Sequence, residues 1–234
     1  MAIRSTVVLI AAILLGSTMP AGAQYFGRNK VQYQRFDFKV LSSEHFDVYH
    51  YPEEEAAVRL ATRMAERWYT RLSQLLKHEL NGRQKLILYA AHPHFQQTNT
   101  LEGEIGEGTG GVTESGKRRV ILPFAGGLAE TNHVIGHELV HAFQYDMAGQ
   151  VDLQGRPIGP GLQALPLWFI EGMAEYLSIG PVDSNTAMWV REASSRNAMP
   201  TIDRLDDPDF FPYRYGHAFW AYVAGRWGDR KSVV

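Results

Sequence analysis

The sequence of 234 residues contains no cysteine. This absence excludes disulfide bonds, thiolate nucleophiles and cysteine ligands to a metal, so histidine, aspartate and glutamate are the strong metal ligands that remain. An excess of positive charge is also missing, because 23 lysines and arginines face 25 acidic residues, for a formal net charge of -2. Since nucleic-acid binding normally needs a concentrated basic surface, we expect no nucleic-acid partner.

Long hydrophobic runs are lacking as well. The apolar stretch near the N-terminus covers residues 7–15, well short of the roughly 20 residues that a membrane-spanning helix needs. It follows one early charge, Arg4, and precedes the small residues Ala21-Gly22-Ala23, a combination typical of a cleaved signal peptide over residues 1–23. We therefore expect export to the periplasm or the extracellular space, with no membrane span after signal removal. An uncleaved anchor is the alternative.

The pattern of apolar residues predicts four strands in the first half of the chain. Alternation of the kind seen around Phe46 and Val48 is typical of a half-buried strand, and Ser115-Gly116 is typical of a hairpin turn. The predicted strands cover residues 45–51, 85–90, 111–114 and 118–122.

Helices are predicted to dominate the rest. One helix is expected to begin at Glu53 and to end at Asn81-Gly82, because apolar residues recur every three or four positions between them. Three more helices are predicted over residues 128–147, over residues 166–179 and from Pro212 onward, with a loop over 149–165 and irregular chain over 181–211. Strands followed by helices indicate an α+β fold, in which a small mixed sheet packs on helices.

The strongest chemical signal is a His-Glu-Leu-Val-His motif that begins at His137 and ends at His141. On a helix, residues four apart lie on the same face, so both imidazoles can point a ring nitrogen at one metal ion. Glu138 then projects beside the ion, where a carboxylate can act as a general base toward water. The alternative is a pair of buried histidines with a purely structural role.

A catalytic zinc ion needs a third protein ligand and an open fourth position. Glu171 and Glu175 lie four residues apart inside an otherwise apolar predicted helix, where an unpaired carboxylate would be costly to bury. We therefore expect Glu171 to be the third ligand and Glu175 to accept the second ring N–H of a liganding histidine. An ordinary salt bridge is the alternative for Glu175. Gly172 is expected to let this helix press closely on the helix that carries His137.

These motifs resemble the gluzincin metallopeptidases, of the peptidase MA-like type. The resemblance depends on the first motif followed by Trp168-Phe-Ile-Glu-Gly-Met-Ala-Glu, and it covers most of residues 24–234. It implies a zincin-like domain whose small mixed sheet packs on the two metal-binding helices. It also points to exported bacterial proteins in which this domain precedes a TolB-type β-propeller, so we expect one catalytic domain over residues 24–234, truncated at its C-terminus.

The resemblance implies further site residues. In related aminopeptidases, a Tyr-x-x-Gly step at the start of a later helix carries the tyrosine that stabilises the tetrahedral intermediate. The residues from Tyr213 to Gly216 match this step, which implies that Tyr213 is catalytic. Tyr215 and His217 are the substitutes, and a packing role for Tyr213 is the alternative.

In such peptidases the substrate lies antiparallel along an edge strand above the metal, and residues 110–114 are expected to be that strand. Glu114 is then a candidate for holding a free substrate amine, although the full Gly-x-Met-Glu-Asn motif of aminopeptidases is missing. The pair His92 and His94 looks like a second metal site, but Pro93 between them interrupts a regular ladder, so we interpret this segment as a loop.

Together these patterns predict a zinc-dependent peptidase that acts on a peptide or protein substrate. Zn²⁺ is the expected cofactor, since two histidines and a glutamate without cysteine suit it best among divalent ions. Two alternatives stay open: a zinc-stabilised binding or assembly module of the cell envelope that does not turn over, and a zinc hydrolase of a non-peptide amide or ester.

Overall fold

The computed structural model describes residues 30–101, 103–124, 126–149 and 161–228. The predicted signal peptide, most of the predicted loop over 149–165 and the last six residues lie outside the described residues. Within the described part of the chain, no helix combines the length and the apolar character that crossing a membrane requires.

In the residues that the structure describes, five strands form one mixed sheet. The strands are β1 (Lys39–Ser42), β2 (Phe46–His50), β3 (Gln84–Tyr89), β4 (Val112–Glu114) and β5 (Arg119–Pro123). Their order is β1-β2-β3-β5-β4, with β2, β3 and β5 parallel to one another and with antiparallel pairing at both edges. The four predicted strands are confirmed, and β4 and β5 form the predicted hairpin. Strand β1 was not predicted, because its four residues are mostly exposed and show no alternation.

Six α-helices accompany the sheet in the described residues. They are α1 (Glu55–Leu76), α2 (His92–Phe95), α3 (Leu128–Ala148), α4 (Leu167–Ile179), α5 (Ser184–Ser195) and α6 (Pro212–Trp227). A mixed five-stranded sheet with these helices is compatible with the predicted α+β class.

One predicted helix boundary and two predictions of irregular chain are wrong. Helix α1 ends at Leu76, because Lys77 adopts a left-handed conformation with φ of 50°, five residues before the expected stop. Pro93 does not prevent a helix, since it lies in the first turn of α2, where its missing N–H costs no hydrogen bond. Helix α5 lies where irregular chain was expected, and Asp183 begins it by accepting a hydrogen bond from the N–H of Thr186 at 2.7 Å.

Helix α3 is held between α1 and the sheet. Ile135, Leu139 and Phe143 of α3 are fully buried in the main core, and burial of each such side chain is worth roughly 1.5–3 kcal/mol. A Cβ at Gly136 would lie 2.5 Å from Cε2 of Trp68 of α1, so only glycine allows this close contact. The indole Nε1 of Trp68 also donates to the carbonyl oxygen of Asn132 at 2.9 Å. These contacts fix the turn of α3 that precedes the histidine motif.

Helices α4 and α6 cross at a pair of glycines. A Cβ on Gly216 would lie 2.8 Å from Cα of Gly172, and one on Gly172 would collide with the backbone of Gly216. The expectation that Gly172 lets α4 press on the helix of His137 is therefore wrong about the partner, which is α6. This crossing brings the first turn of α6, with Tyr213, close enough to Glu171 for that carboxylate to affect its pKa.

Candidate metal centre

Three potential ligand atoms from α3 and α4 form a compact triangle. Nε2 of His141 lies 3.1 Å from Nε2 of His137, and Oε2 of Glu171 lies 3.2 Å from the His137 nitrogen and 3.1 Å from the His141 nitrogen. The helical spacing of the two histidines supplies one edge of this triangle. The packing of α4 on α3 supplies the third corner, so the structure brings these three residues together as one grouping that could hold a metal ion.

The size of the triangle fits a tetrahedral ion. Ligand atoms that surround zinc at about 2.0–2.2 Å in a tetrahedron are about 3.4 Å apart, close to the 3.1 to 3.2 Å found here. Both histidines are more than nine-tenths buried, and the Glu171 side chain is 13% exposed. Three potential ligand atoms therefore converge on one point, one from a carboxylate and two from imidazoles that bind metals in their neutral form. Such a set is suited to a divalent cation.

The charges of this cluster depend on one another. Burial alone would raise the pKa of Glu171, but hydrogen bonding to His137 and His141 outweighs it and lowers that pKa to about 2. Burial would likewise lower the pKa of His137, but Glu171, Glu175 and Glu138 raise it to about 10. The imidazole thus takes up a proton to compensate the buried carboxylates. A metal cation would replace that proton, since metal ligands must be deprotonated.

Each histidine has a second partner behind the triangle. Nδ1 of His141 lies 2.8 Å from Oε1 of Gln144, which fixes that ring as the Nδ1–H tautomer and leaves Nε2 free as a ligand. Nδ1 of His137 lies 3.1 Å from Oε1 of Glu175, close enough for an ion pair. That ring nitrogen makes no hydrogen bond, so the distance and the opposite charges support the predicted role of Glu175.

A second grouping shares His137. His133, His137 and Glu175 also bring three potential ligand atoms within 4.8 Å of one another. The carboxylate of Glu175, however, already has a cationic partner, because Nη1 of Arg214 lies 2.7 Å from its Oε2. Burial would raise the pKa of Glu175, but His133 and His137 hold it well below its usual range. We therefore interpret Glu175 as a buried countercharge that orients His137.

Glu138 lies beside the triangle and is held by the edge strand. The hydroxyl of Thr113 on β4 lies 2.7 Å from Oε2 of Glu138 and 2.9 Å from its backbone oxygen. A Cβ on Gly111 would lie 2.8 Å from Cγ of Glu138, so this glycine lets the strand approach the carboxylate. Sequence analysis missed the roles of Thr113 and Gln144. The contact of Thr113 is between two elements, whereas Gln144 contacts His141 from three residues further along the same helix, a spacing that could have signalled it.

Two tyrosines lie near these carboxylates. Burial, with the charges of Glu171, Glu138 and Glu175, raises the pKa of Tyr213 well above its usual value, so its hydroxyl stays protonated and can donate at neutral pH. Its ring stacks on that of His137, with centroids 5.9 Å apart. The pKa of Tyr145, which sequence analysis missed, is raised by burial and by Glu171 and Glu138. The sequence could have indicated Tyr145, because it lies four residues after His141 and so on the same face of α3.

The two substitutes for Tyr213 point elsewhere. Tyr215 is buried in a small core with Trp168 and Leu205. His217 is 1% exposed, and its Nε2 lies 2.7 Å from the carbonyl oxygen of Gly180. Both residues therefore have packing or structural partners, and of the three candidates Tyr213 is the one that lines the cleft at His137.

A cleft of about 600 Å³ opens at the candidate centre, lined by His137, Glu138 and Tyr213 and by the residues 108–111 that lead into β4. Strand β4 is the edge of the sheet next to α3, the position that was expected for residues 110–114. The carboxylate of Glu114 is engaged with the guanidinium of Arg119, which leaves it poorly suited to bind a substrate amine.

The histidines at 92 and 94 are not a metal pair in the described residues. Nε2 of His92 lies 3.2 Å from the carbonyl oxygen of Thr109, and Nδ1 of His94 lies 2.7 Å from the hydroxyl of Tyr51. Each ring is thus occupied by a different neighbour.

The structure therefore brings most of the site residues named from sequence together. His137, His141 and Glu171 form the triangle, and Glu138, Glu175 and Tyr213 line the cleft at His137, whereas Glu114 is paired with Arg119. Their juxtaposition is a finding, whereas the ion and the reaction belong to the proposal below. No protein-family model matches the chain, and a search of curated proteins finds no match. The function must therefore be inferred from the chain's own residues.

Proposed function

We propose that the chain is a zinc-dependent peptidase of the gluzincin type, with a zincin-like fold. The observation that carries this proposal is the triangle of Nε2 of His137, Nε2 of His141 and Oε2 of Glu171, with edges of 3.1 to 3.2 Å. The carboxylate of Glu138 lies beside it in an open cleft. The neighbouring sheet edge also supports the proposal, because an extended peptide can add to such an edge by main-chain hydrogen bonds.

Each residue of the site has a separate role in the proposed reaction. His137, His141 and Glu171 would hold Zn²⁺, which when bound supplies Lewis acidity that lowers the pKa of water to about 7 and polarises a carbonyl. Glu138 accepts the proton of the attacking water and returns it to the leaving amine. Tyr213 donates a hydrogen bond to the carbonyl oxygen as it gains negative charge. The expected substrate is a peptide or protein, met in the periplasm or outside the cell.

The competing function is a zinc-stabilised module of the cell envelope that does not turn over. A structural zinc site needs neither a proton acceptor nor an oxyanion donor, and it usually has four protein ligands. Here Glu138 and Tyr213 both line the cleft, and the triangle has three donors. These features favour the enzyme.

The two functions are separated by metal analysis together with a cleavage assay. We expect the purified protein to contain about one zinc per chain and to cleave unfolded casein, and we expect a chelator to abolish cleavage and added zinc to restore it. Casein that stays intact while the chelator lowers the melting temperature would support the module instead. Cleavage of an ester or a non-peptide amide but not of casein would identify the third alternative.

Thr113→Val is expected to lower kcat by about 10-fold with zinc content unchanged. Removal of the hydroxyl deletes its hydrogen bond to the Glu138 carboxylate, and a hydrogen bond to a charged group is worth roughly 1.5–3 kcal/mol, where 1.4 kcal/mol corresponds to about tenfold in rate. Thr70→Val is the matched control, since its hydroxyl bonds the backbone of Glu66 on an exposed part of α1. Equal kcat for Thr113→Val and wild type would mean that Thr113 does not position Glu138.

A further inference from the structure

A second cavity of about 460 Å³ lies next to the cleft at the candidate metal centre. Residues 108–110, together with Glu130 and Val134 of α3, line both cavities. We call the second one the Glu130 cavity; its other walls include Glu107 and Phe124. Since the same residues bound both cavities, the Glu130 cavity adjoins the space in which a substrate would cross the centre.

The walls of the Glu130 cavity are both acidic and apolar. Glu107 and Glu130 are exposed at its surface, and none of the described residues that line it is a lysine or arginine. His92 also lines it, with Nε2 3.2 Å from the carbonyl oxygen of Thr109. Within the described part of the chain, no lysine or arginine forms a salt bridge with either carboxylate. Phe124 and Val134 are half-buried and add an apolar surface between them. A long side chain with an aliphatic stem and a positive end matches this combination.

The distance from the metal centre can be read along α3. Glu130 precedes His137 by two helical turns, or roughly 10.5 Å along the axis. The chain leading into β4 lies against one of these turns of α3: a Cβ on Gly110 would lie 3.3 Å from Cγ2 of Val134, and one on Gly111 would lie 2.8 Å from Cγ of Glu138. An extended peptide advances about 3.3 Å per residue. A substrate laid along α3 would therefore place a residue about three positions from the cut bond near Glu130.

We propose that the Glu130 cavity is a specificity subsite that binds a lysine or arginine side chain of the substrate, about three residues from the cleaved bond. The stem of that side chain packs on Phe124 and Val134, and its charge meets the carboxylates of Glu130 and Glu107. This inference depends on the proposed peptidase function for the meaning of the cleaved bond, but the binding of a basic peptide is measurable without turnover.

The first test is cleavage of a peptide library by the zinc-loaded full-length protein, with the cut sites read by mass spectrometry. We expect lysine and arginine to be enriched at one position two to four residues from the cut. For a peptide with lysine at that position, Glu130→Gln should raise KM by about 2- to 5-fold, the range of an exposed ion pair, with kcat unchanged. The corresponding alanine peptide should show no change. Glu130→Lys should reverse the preference toward glutamate.

The second test is binding, which separates failure of the subsite from failure of the peptidase. The Kd of a fluorescent lysine peptide and of its alanine counterpart is measured on zinc-loaded Glu138→Gln protein at low and high salt. We expect tighter binding of the lysine peptide, with a difference that shrinks at high salt and disappears in Glu130→Gln. Cleavage without any basic preference, or equal Kd values for the two peptides, would overturn the subsite. Selective binding without cleavage by wild type would overturn the peptidase alone.

Discussion

Glu138→Gln is expected to leave zinc bound and to lower the turnover of peptides by about 10²- to 10⁴-fold, the usual contribution of general acid-base catalysis. The amide keeps the size of the carboxylate but cannot accept a proton from water. Glu138 is not one of the three atoms of the ligand triangle, so its replacement should not remove a metal ligand. The measurements are zinc content by elemental analysis and kcat on a fluorogenic peptide.

Glu192→Gln is the matched control for this variant. Glu192 lies on α5, and its side chain is 48% exposed and paired with Arg196, so its replacement should change neither zinc content nor kcat. Wild-type turnover by zinc-loaded Glu138→Gln would show that another group accepts the proton. Loss of zinc from that variant would show that Glu138 is itself a ligand.

Glu171→Gln is expected to lower zinc affinity by more than about 100-fold and to abolish peptide cleavage at limiting zinc. Loss of an outer partner of a metal ligand typically costs 10- to 100-fold in affinity, and loss of a ligand should cost more. The variant removes the anion that lies 3.1 and 3.2 Å from the two imidazole nitrogens. Affinity is measured by competition with a chromophoric chelator.

Glu175→Gln is the informative comparison for Glu171→Gln. Oε1 of Glu175 lies 3.1 Å from Nδ1 of His137, behind the triangle, so this variant should lose only about 10- to 100-fold in zinc affinity. Glu192→Gln should bind zinc as wild type does. A larger loss in Glu175→Gln than in Glu171→Gln would mean that the ion is held by the second grouping, with His133.

Local chemistry explains what could be predicted from the sequence. The spacing of His137 and His141 on a helix is enough to place both rings on one face. Glu171 could be assigned because a carboxylate in an apolar helix needs a partner, and its partners are these two rings. Strand alternation and the hairpin turn located β2 to β5 in the same way.

Contacts between distant elements explain what could not be predicted. The family resemblance placed residues 110–114 above the metal, but nothing near Thr113 in the sequence indicates that its hydroxyl contacts Glu138, because that contact depends on sheet order and on the packing of α3. Gly172 was correctly recognised as a close-packing position, but its partner, Gly216, is set by the crossing of α4 and α6. Helix α5 was missed because its apolar and polar residues are mixed, although its N-cap, Asp183, was visible.

The most direct test of the account is a crystal structure of the zinc-loaded protein with anomalous data collected at the zinc edge. We predict one strong anomalous peak about 2.0–2.2 Å from Nε2 of His137, Nε2 of His141 and a carboxylate oxygen of Glu171, with Glu138 beside it and not bonded to it. A peak between His133 and Glu175, or no peak at the triangle in fully loaded protein, would contradict the account.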